Sequence, residues 1–301
     1  MGPTASGKTE VAIHLAERFP VDLVSVDSAL VYRGMDIGTA KPDAATLAKV
    51  PHRLIDICEP EETYSAGSFV RDALLAIEQI HAAGRIPLLV GGTMLYFRAL
   101  TQGIARLPDA SPSLRETLDN EAAELGWPAL HAELVSVDPE AAARINPNDS
   151  QRIQRALEVF RLSGKPLTEW QRETRPAAAH RYLKIALLPA ARAELHRRIA
   201  ARLESMLAAG FIDEVRGLMA RPALTPAHAS MRAVGYRQFW AYLAGQSDLP
   251  TASARARAAT RQLAKRQHTW LRSEPSLHTF DPLEDGVLSA IVGRIGDELS
   301  Q

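Results

Sequence analysis

The chain has 301 residues, of which 46% are hydrophobic and 23% charged, and this length predicts about two domains at ~150 residues each. Its 35 basic and 35 acidic side chains cancel, which excludes a polycationic tail and a strongly acidic disordered protein. A single cysteine excludes a disulfide framework and a multi-cysteine zinc site. No apolar run approaches the ~20 residues that span a bilayer, and we expect no leader segment. The protein is therefore predicted to be cytoplasmic, without a membrane partner.

The first hundred residues alternate between predicted helices and predicted strands. Apolar residues at helical spacing predict helices over 9–19 and 66–83, and Gly84 ends the second. Short apolar runs predict strands over 21–26, 53–57 and 86–90. Short apolar strands separated by helices are typical of a parallel sheet covered on both faces. The predicted fold class is therefore α/β.

The pattern changes near residue 106, where strands give way to helices. A capping side chain followed by proline begins a predicted helix at 111–112 and another at 138–139, and a third runs from 149 or 150 to 163. No strand is predicted between 108 and 181. These features predict a helical insertion in a core that is formed by two parts of the chain. The predicted bounds are 1–105 and 182–301 for the core and 106–181 for the insertion.

The second part of the core is predicted to be largely helical. A strand over 182–188 resembles a returning strand of the sheet. Helices are then predicted over 190–209, 229–243 and 251–271.

Residues 2–9, with the sequence GPTASGKT, match the phosphate-loop pattern G-x-x-x-x-G-K-[ST]. The glycines allow backbone N–H groups to surround a phosphate, and the following helix adds its positive N-terminal end. Lys8 would neutralise phosphate charge, and the Thr9 hydroxyl would bind Mg²⁺. A glycine-rich turn without a ligand is the alternative. With the phosphate loop, the prediction becomes a P-loop-containing parallel sheet core with a helical insertion.

A phosphate loop normally follows a buried strand, yet only Met1 precedes Gly2. That strand usually lies in the middle of the sheet, and without it a position in the core would be empty. We therefore expect Met1 to be an internal methionine, with the start of the protein about ten residues upstream. A shortened chain that folds less stably is the alternative.

Asp27 follows the predicted strand over 21–26, at the edge where ligands of open α/β sheets bind. Three roles are open for it there: a general base, a magnesium ligand, or the cap of a turn. The third strand ends in Gly91, Gly92 and Thr93, whereas an ATPase usually has an acid or a water-positioning residue. The pattern thus weakens an ATPase interpretation. The pattern remains compatible with a kinase, or with a transferase whose phosphate-bearing substrate is not ATP.

Seven segments in chain order resemble the tRNA dimethylallyltransferases, also called tRNA isopentenyltransferases. They are GPTASGKT (2–9), VDSALVYRGMDIGTAKP (26–42), LIDICEPEETYSAGSF (54–69), GGTMLYFRAL (91–100), NDSQRIQRALEV (148–159), RAVGYRQFW (232–240) and ATRQLAKRQHTWLR (259–272). Many families share the phosphate loop, but the other six segments are specific in combination. Residues 101–147 match the family poorly.

The resemblance implies that the dimethylallyl group of dimethylallyl diphosphate is transferred to N6 of adenine 37 beside a tRNA anticodon. Diphosphate leaves, and Mg²⁺ assists with Thr9 as its ligand. Asp27 is the implied catalytic base. The implied diphosphate-binding residues are Gly2, Pro3, Thr4, Ala5, Ser6, Gly7, Lys8 and Thr9. The implied tRNA contacts are Asp27, Ser28, Ala29, Leu30, Thr93, Arg115, Gln151, Arg152, Ile153, Gln154 and Arg155.

Two basic segments add candidate contacts to tRNA phosphates. Residues 253–272 contain six basic side chains and no acid, and residues 152–165 contain four with Glu158 as their one acid. Such clusters predict salt-sensitive binding of nucleic acid, with a solvated helix face as the alternative. The RAVGYR motif adds two arginines around a glycine and a tyrosine, although aromatic residues at helical spacing are more often part of a core. The further predicted contacts are Lys265, Arg266, Arg272, Arg232, Gly235, Tyr236 and Arg237.

Two rival functions are a kinase for nucleotides or small molecules and a non-catalytic RNA-binding protein. A kinase would consume ATP and has no use for two basic segments. The intact Lys8, Thr9 and Asp27 argue against a binding protein whose phosphate loop is degenerate. We expect a monomer whose partners are the anticodon arm of tRNA and dimethylallyl diphosphate.

Overall fold

The structure, a computed structural model, describes residues 1–174 and 180–300, and within them the fold is mixed α/β. Its strands are β1 (Val21–Val26), β2 (His52–Arg53), β3 (Ile86–Gly91), β4 (Lys184–Leu187) and β5 (Leu277–Phe280). Its helices are α1 (Lys8–Ala16), α2 (Ala44–Lys49), α3 (Ala66–Ala82), α4 (Met94–Gln102), α5 (Pro112–Leu125), α6 (Trp127–Val137), α7 (Pro139–Arg144), α8 (Ser150–Ser163), α9 (Leu167–Arg172), α10 (Arg192–Ala208), α11 (Phe211–Met219), α12 (Tyr236–Leu243), α13 (Leu249–Arg272) and α14 (Val287–Leu299). None of the described helices has the length and apolar character needed to cross a membrane.

The chain divides into two compact units. One combines Met1–Arg98 with His180–Gln301, and the other is Ala99–Ala179. All five strands belong to the first unit, and the described part of the second unit is built from helices. The bounds of 106–181 for an insertion domain stay a prediction.

The strands of the first unit form two small parallel sheets. β1 pairs with β2 on one side and with β3 on the other, and β4 pairs with β5. Met1 lies beside β4, where its ammonium donates to Ile185 O at 2.7 Å and Leu187 N donates to Met1 O at 3.0 Å. Met1 thus pairs as a strand residue would, and the longer strand expected before Gly2 stays a prediction.

Two of the three strands predicted in the first hundred residues form as expected. The apolar runs over 21–26 and 86–90 become β1 and β3. The strand predicted over 53–57 is wrong beyond Arg53, because Leu54 and Asp56 have left-handed backbone with φ of 63° and 54°. Asp56 instead directs its carboxylate to Lys41 Nζ at 2.5 Å.

The C-terminal part of the first unit differs from the prediction in four places. The helix predicted over 229–243 is a 3₁₀ turn, Ser230–Arg232, followed by α12, because Gly235 has a φ of 95° between them. The short strand β5 and the helices α11 and α14 have no predicted counterpart. In contrast, α10 and α13 occupy the regions predicted for them to within a few residues at each end.

The largest core of the first unit brings together side chains that are far apart in sequence. Its aromatic centre is Phe211, whose ring lies edge-on to Tyr236 at 5.1 Å and to Phe239 at 5.2 Å between centroids. Tyr236 and Phe239 have no exposed surface. Both side chains are therefore part of this core.

The helical unit is built from short helices with well-defined beginnings. Side chains at the predicted caps accept hydrogen bonds from the first turns of α5, α7 and α8: Ser111 from Leu114 N, Asp138 from Ala141 N and Asp149 from Arg152 N. Facing apolar side chains then form one core. Its fully buried members include Leu118, Leu134, Ile153 and Leu157.

Candidate active site

A cavity of about 220 Å³ lies where β1 and β3 end and α1 begins. The elements that line it differ in the polarity of the side chains they supply. The segments that begin α1 and end β1 and β3 supply polar side chains and backbone, including Thr4, Lys8, Thr9, Ser25 and Asp27. α10, α11 and α13 supply mainly apolar side chains, namely Ile199, Leu203, Met206, Phe211, Ala256 and Leu263. The cavity therefore suits a ligand that is polar in one part and apolar in another.

The loop of residues 2–9 contains unpaired backbone donors, and its residues Thr4, Ala5, Lys8 and Thr9 line the cavity. Ala5 has a φ of 63° and Gly7 a φ of 81°, and this left-handed backbone turns the chain sharply into α1. Among the described residues, the N–H groups of Ala5, Ser6 and Gly7 have no hydrogen-bond partner. Successive N–H groups ahead of a helix N-terminus attract an anion. The local geometry thus agrees with the motif.

Two cations and one carboxylate set the charge of the cavity. Lys8 Nζ donates to Pro3 O at 2.6 Å, and Arg202 on α10 donates to Thr39 O at 3.2 Å. Burial lowers the pKa of Lys8 to about 8, an effect that Asp27 opposes and Arg202 reinforces. Burial also lowers the pKa of Arg202, again opposed by Asp27. The excess positive charge favours a polyanionic ligand.

Arg202 was not among the predicted site residues. It belongs to a helix that also carries Arg192, Arg197 and Arg198, so its residue type alone does not distinguish it. The helical spacing does indicate that Arg202 points inward. It lies seven residues after the buried Leu195 and therefore on nearly the same face of the helix. The direction of that face, toward Asp27, depends on packing.

Asp27 is held by its own turn. Its Oδ1 accepts from Ala29 N at 2.9 Å and from Leu30 N at 3.4 Å. No residue that the structure describes contacts its Oδ2 through a hydrogen bond or ion pair. The carboxylate is thus oriented through one oxygen while the other stays available to a ligand in the cavity. The cap role and the base role, which were alternatives in the sequence, are compatible here.

Two buried hydroxyl groups near the cavity have no partner among the described residues. Ser25 Oγ belongs to β1 and lines the cavity, and Ser6 Oγ lies in the loop of residues 2–9. A buried hydroxyl without a hydrogen bond costs roughly 1–3 kcal/mol, which favours its use by a bound ligand or water. The described residues contain no cluster of three histidine, cysteine or acidic side chains that would hold a metal.

Gln267 joins three elements around the cavity. On α13 and only 8% exposed, it accepts from Thr4 N at 2.9 Å and donates to Gly92 O at 2.8 Å. The next residue, Thr93, accepts from Ser28 N at 3.0 Å through its hydroxyl. The predicted residues Thr93 and Ser28 thus lie together beside Asp27. Gln267 was missed, because its sequence neighbours give no sign of partners so distant.

The residues predicted from RAVGYR fall into two groups. Gly235 and Tyr236 line the cavity, and the Tyr236 hydroxyl donates to Glu214 Oε1 at 2.6 Å. Burial and the nearby Glu214 carboxylate raise the pKa of Tyr236. Arg232 and Arg237 are exposed. Tyr236 therefore serves the cavity and the core, whereas the two arginines are on the surface.

The basic residues of α13 face away from its buried side. Buried residues such as Ala256, Ala264 and Leu271 lie along one face, and Arg261, Lys265, Arg266 and Arg272 are exposed. No cation of residues 253–272 forms an ion pair with the acids of residues 1–174 and 180–300. This surface, which we call the α13 basic face, keeps its charge available.

The second basic segment, residues 152–165, is different because its cations are paired inside the helical unit. The sequence segment holds one acid, but folding brings further acids to it. Glu158 is fully buried and binds Arg115 at 2.9 Å and Arg155 at 2.6 Å. The other cation–acid pairs are Arg152 with Asp149, Arg161 with Glu121 and Glu133, and Lys165 with Glu173.

The remaining predicted tRNA contacts of α8 also differ from one another. Gln151 is exposed, whereas Gln154 donates to Asp119 at 2.7 Å. Ile153 is fully buried in the helical core, so a contact of its side chain with RNA does not fit the structure. The hydrophobic periodicity of α8 indicates that Ile153 is buried, but the prediction of an RNA contact followed the family motif instead.

A family model described as IPP transferase matches residues 30–274 of this chain. The tRNA dimethylallyltransferase of Alkalilimnicola ehrlichii is 63% identical over 274 residues, covering 91% of this chain and 86% of that protein. The tRNA dimethylallyltransferase of Thiobacillus denitrificans is 56% identical over 299 residues, covering 99% of this chain and 96% of that protein.

Solved structures show the same likeness. The full-length tRNA isopentenylpyrophosphate transferase of Bacillus halodurans has a TM-score of 0.70 and 37% identity, covering 99% of this chain and 95% of that chain. A eukaryotic dimethylallyltransferase acting on tRNA has a TM-score of 0.81 and 26% identity, covering 99% of this chain and 77% of that chain.

Proposed function

The chain belongs to the IPP transferase family, and from this premise we propose that it transfers a dimethylallyl group from dimethylallyl diphosphate to N6 of adenine 37 in tRNA. The observation that carries the proposal is one cavity that combines anion-binding groups, an apolar lining and the carboxylate of Asp27. A diphosphate ester of a short hydrocarbon needs the first two features, and an amine nucleophile needs the third.

The leaving diphosphate would be bound by residues 2–9. The unpaired N–H groups of Ala5, Ser6 and Gly7 supply donors, and Lys8 and Arg202 supply positive charge. These groups stabilise the charge that develops on the diphosphate as its bond to carbon 1 breaks. Lys8 would leave its contact with Pro3 O to reach the anion.

Mg²⁺ fits the site as a partner of the diphosphate rather than as a cation held by a carboxylate cage. Mg²⁺ commonly uses one or two protein oxygens together with substrate phosphates and water. The Thr9 hydroxyl and the buried, unpaired Ser25 hydroxyl are the residues that would hold it. Bound there, the ion would neutralise part of the leaving-group charge.

The apolar lining would surround the dimethylallyl chain. Ile199, Leu203 and Met206 project from successive turns of α10, and Phe211 from α11. Besides favourable burial of hydrocarbon, these side chains keep water from the reacting carbon. Water would otherwise capture the allylic cation as an alcohol.

Asp27 would act on the acceptor. The N6 amine is a poor nucleophile because its lone pair is delocalised into the adenine ring. As N6 bonds to carbon 1 and the carbon–oxygen bond breaks, one N6 proton passes to Asp27 Oδ2. Oδ1 remains fixed by Ala29 N and Leu30 N. General-base help of this kind is typically worth ~10²–10⁴-fold in rate.

The tRNA would approach along the surface next to Asp27, with adenine 37 extruded from its stack. Ser28 and Thr93 border that approach and are already hydrogen-bonded to one another. The α13 basic face would contact phosphates of the RNA backbone. An acceptor of this class would place the enzyme in the cytoplasm.

The test is transfer of radiolabelled dimethylallyl from its diphosphate to unmodified tRNA. A tRNA with guanine at position 37 is the matched control for the acceptor, and ATP consumption without RNA is measured in parallel. Label on the adenine-37 tRNA alone is the expected result. ATP turnover without transfer would favour a kinase, and tRNA binding without either reaction would favour a non-catalytic RNA-binding protein.

A further inference from the structure

Among the residues that the structure describes, the side-chain amide of Gln267 alone hydrogen-bonds both to the loop of residues 2–9 and to the end of β3. Its Oε1 accepts from Thr4 N at 2.9 Å and its Nε2 donates to Gly92 O at 2.8 Å. A Cβ atom added to Gly92 would lie 2.5 Å from that Nε2, so the close contact requires glycine. Gln267 as a whole is 8% exposed.

The connection continues from Gly92 to the neighbourhood of Asp27. Thr93, the next residue, donates its N–H to Val26 O at 3.2 Å and accepts from Ser28 N at 3.0 Å. Val26 and Ser28 are the residues on either side of Asp27. A path of hydrogen bonds therefore runs from the loop of residues 2–9 to the backbone that carries Asp27.

We propose that Gln267 is a positioning residue that fixes the leaving-group end of the site relative to Asp27. The inference rests on the proposed function, in which carbon 1 must lie between the diphosphate and the N6 amine. A displacement of about 1 Å in such an arrangement can cost ~10²-fold in rate. Gln267 holds the two ends of the site to each other without contacting the reacting atoms.

The chemistry of an amide suits this position. One end must accept from an N–H group and the other must donate to a carbonyl, which neither a carboxylate nor an ammonium group can do. The amide is also neutral, so it leaves the charge balance among Lys8, Arg202 and Asp27 unchanged. A purely apolar side chain would leave Thr4 N and Gly92 O unpaired.

The test compares Gln267→Met, which keeps the length of the side chain but loses both hydrogen bonds, with wild type. Gln246→Met, at an exposed position after α12, is the matched control. The measurements are the thermal midpoint, kcat and KM for transfer, and the affinity for inorganic pyrophosphate. All kinetics are recorded well below the midpoint of each variant.

For Gln267→Met we expect kcat to fall by about tenfold to 10²-fold, with a smaller loss of pyrophosphate affinity. The control should retain wild-type values. A residue that only stabilises the fold would lower the midpoint and leave kcat of the folded enzyme unchanged, and this result would overturn the proposal. If wild type itself transfers no label, it is the proposed function that fails.

A double-mutant cycle tests the path to Asp27. Thr93→Val removes the hydroxyl that accepts from Ser28 N, and we expect its effect on kcat to be less than additive with that of Gln267→Met. Additive effects would show that the two residues act independently and would contradict the path. If Gln267→Met fails to fold, Gln267→Glu takes its place. The glutamate keeps an acceptor for Thr4 N but has no proton to donate to Gly92 O, and we expect it to lower kcat as well.

Discussion

Replacing Asp27 by asparagine separates its chemical role from its structural one. The amide retains an oxygen that can accept from Ala29 N and Leu30 N, so the turn survives. The amide nitrogen that replaces Oδ2 cannot take the N6 proton. We expect transfer to slow by ~10²–10⁴-fold, which is about 3–6 kcal/mol of barrier at ~1.4 kcal/mol per decade.

The comparison variant is Asp27→Ala, which removes the base and the turn together. Loss of its two hydrogen bonds should lower stability by roughly 0.5–1.5 kcal/mol each, whereas Asp27→Asn should melt close to wild type. Both variants should bind tRNA. The assay is single-turnover transfer with saturating donor and tRNA, together with a thermal melt and a tRNA binding curve.

A second readout follows from the electrostatics of the cavity. The Asp27 carboxylate opposes the effect of burial, which lowers the pKa of Lys8 to about 8. In Asp27→Asn this support is lost, so the pKa of Lys8 should fall further and pyrophosphate binding should begin to weaken at a lower pH than in wild type. Transfer by Asp27→Asn within about tenfold of wild type would remove Asp27 from the base role.

Four further expectations concern other parts of the molecule. Because the pKa of Lys8 is about 8, pyrophosphate affinity should fall as pH rises through that value, and Lys8→Met, which has no ammonium to lose, should lack this fall. Arg202→Met should weaken pyrophosphate binding by about tenfold or more in a titration, since hydrogen bonds to charged groups are worth ~1.5–3 kcal/mol. Glu158→Ala should destabilise the helical unit by about 1–3 kcal/mol in denaturant unfolding, because it leaves two partly exposed arginines without their buried partner. The double variant Arg261→Glu and Lys265→Glu should weaken tRNA binding and reduce its salt dependence, whereas an unchanged salt slope would exclude the α13 basic face from the interface.

The paired and unpaired basic segments show why local composition is a poor guide to a nucleic-acid surface. In sequence, residues 152–165 and 253–272 looked alike. The first segment meets acids from other helices, and the second meets none among the described residues. The number of lysines and arginines in a segment gives its charge. Whether that charge is neutralised depends on the acidic side chains that lie near it in the folded protein.

Features that depend on adjacent residues could be predicted from the amino-acid sequence. The glycines of residues 2–9 dictate a turn into α1, apolar runs dictate β1 and β3, and capping side chains dictate where α5, α7 and α8 begin. The position of Asp27 directly after β1 also follows from the chain. Each of these rests on backbone conformations and hydrogen bonds that close within a few residues, so a local pattern is sufficient.

The distant residues that complete the cavity became visible only in the folded chain. Gln267 reaches Thr4 across 263 positions of sequence and Gly92 across 175, and Arg202 meets the same cavity from a helix whose other arginines lie elsewhere. Such contacts form because burying the apolar faces of α10 and α13 fixes where their few inward polar groups point. That direction depends on how whole helices pack, and no short stretch of sequence contains it.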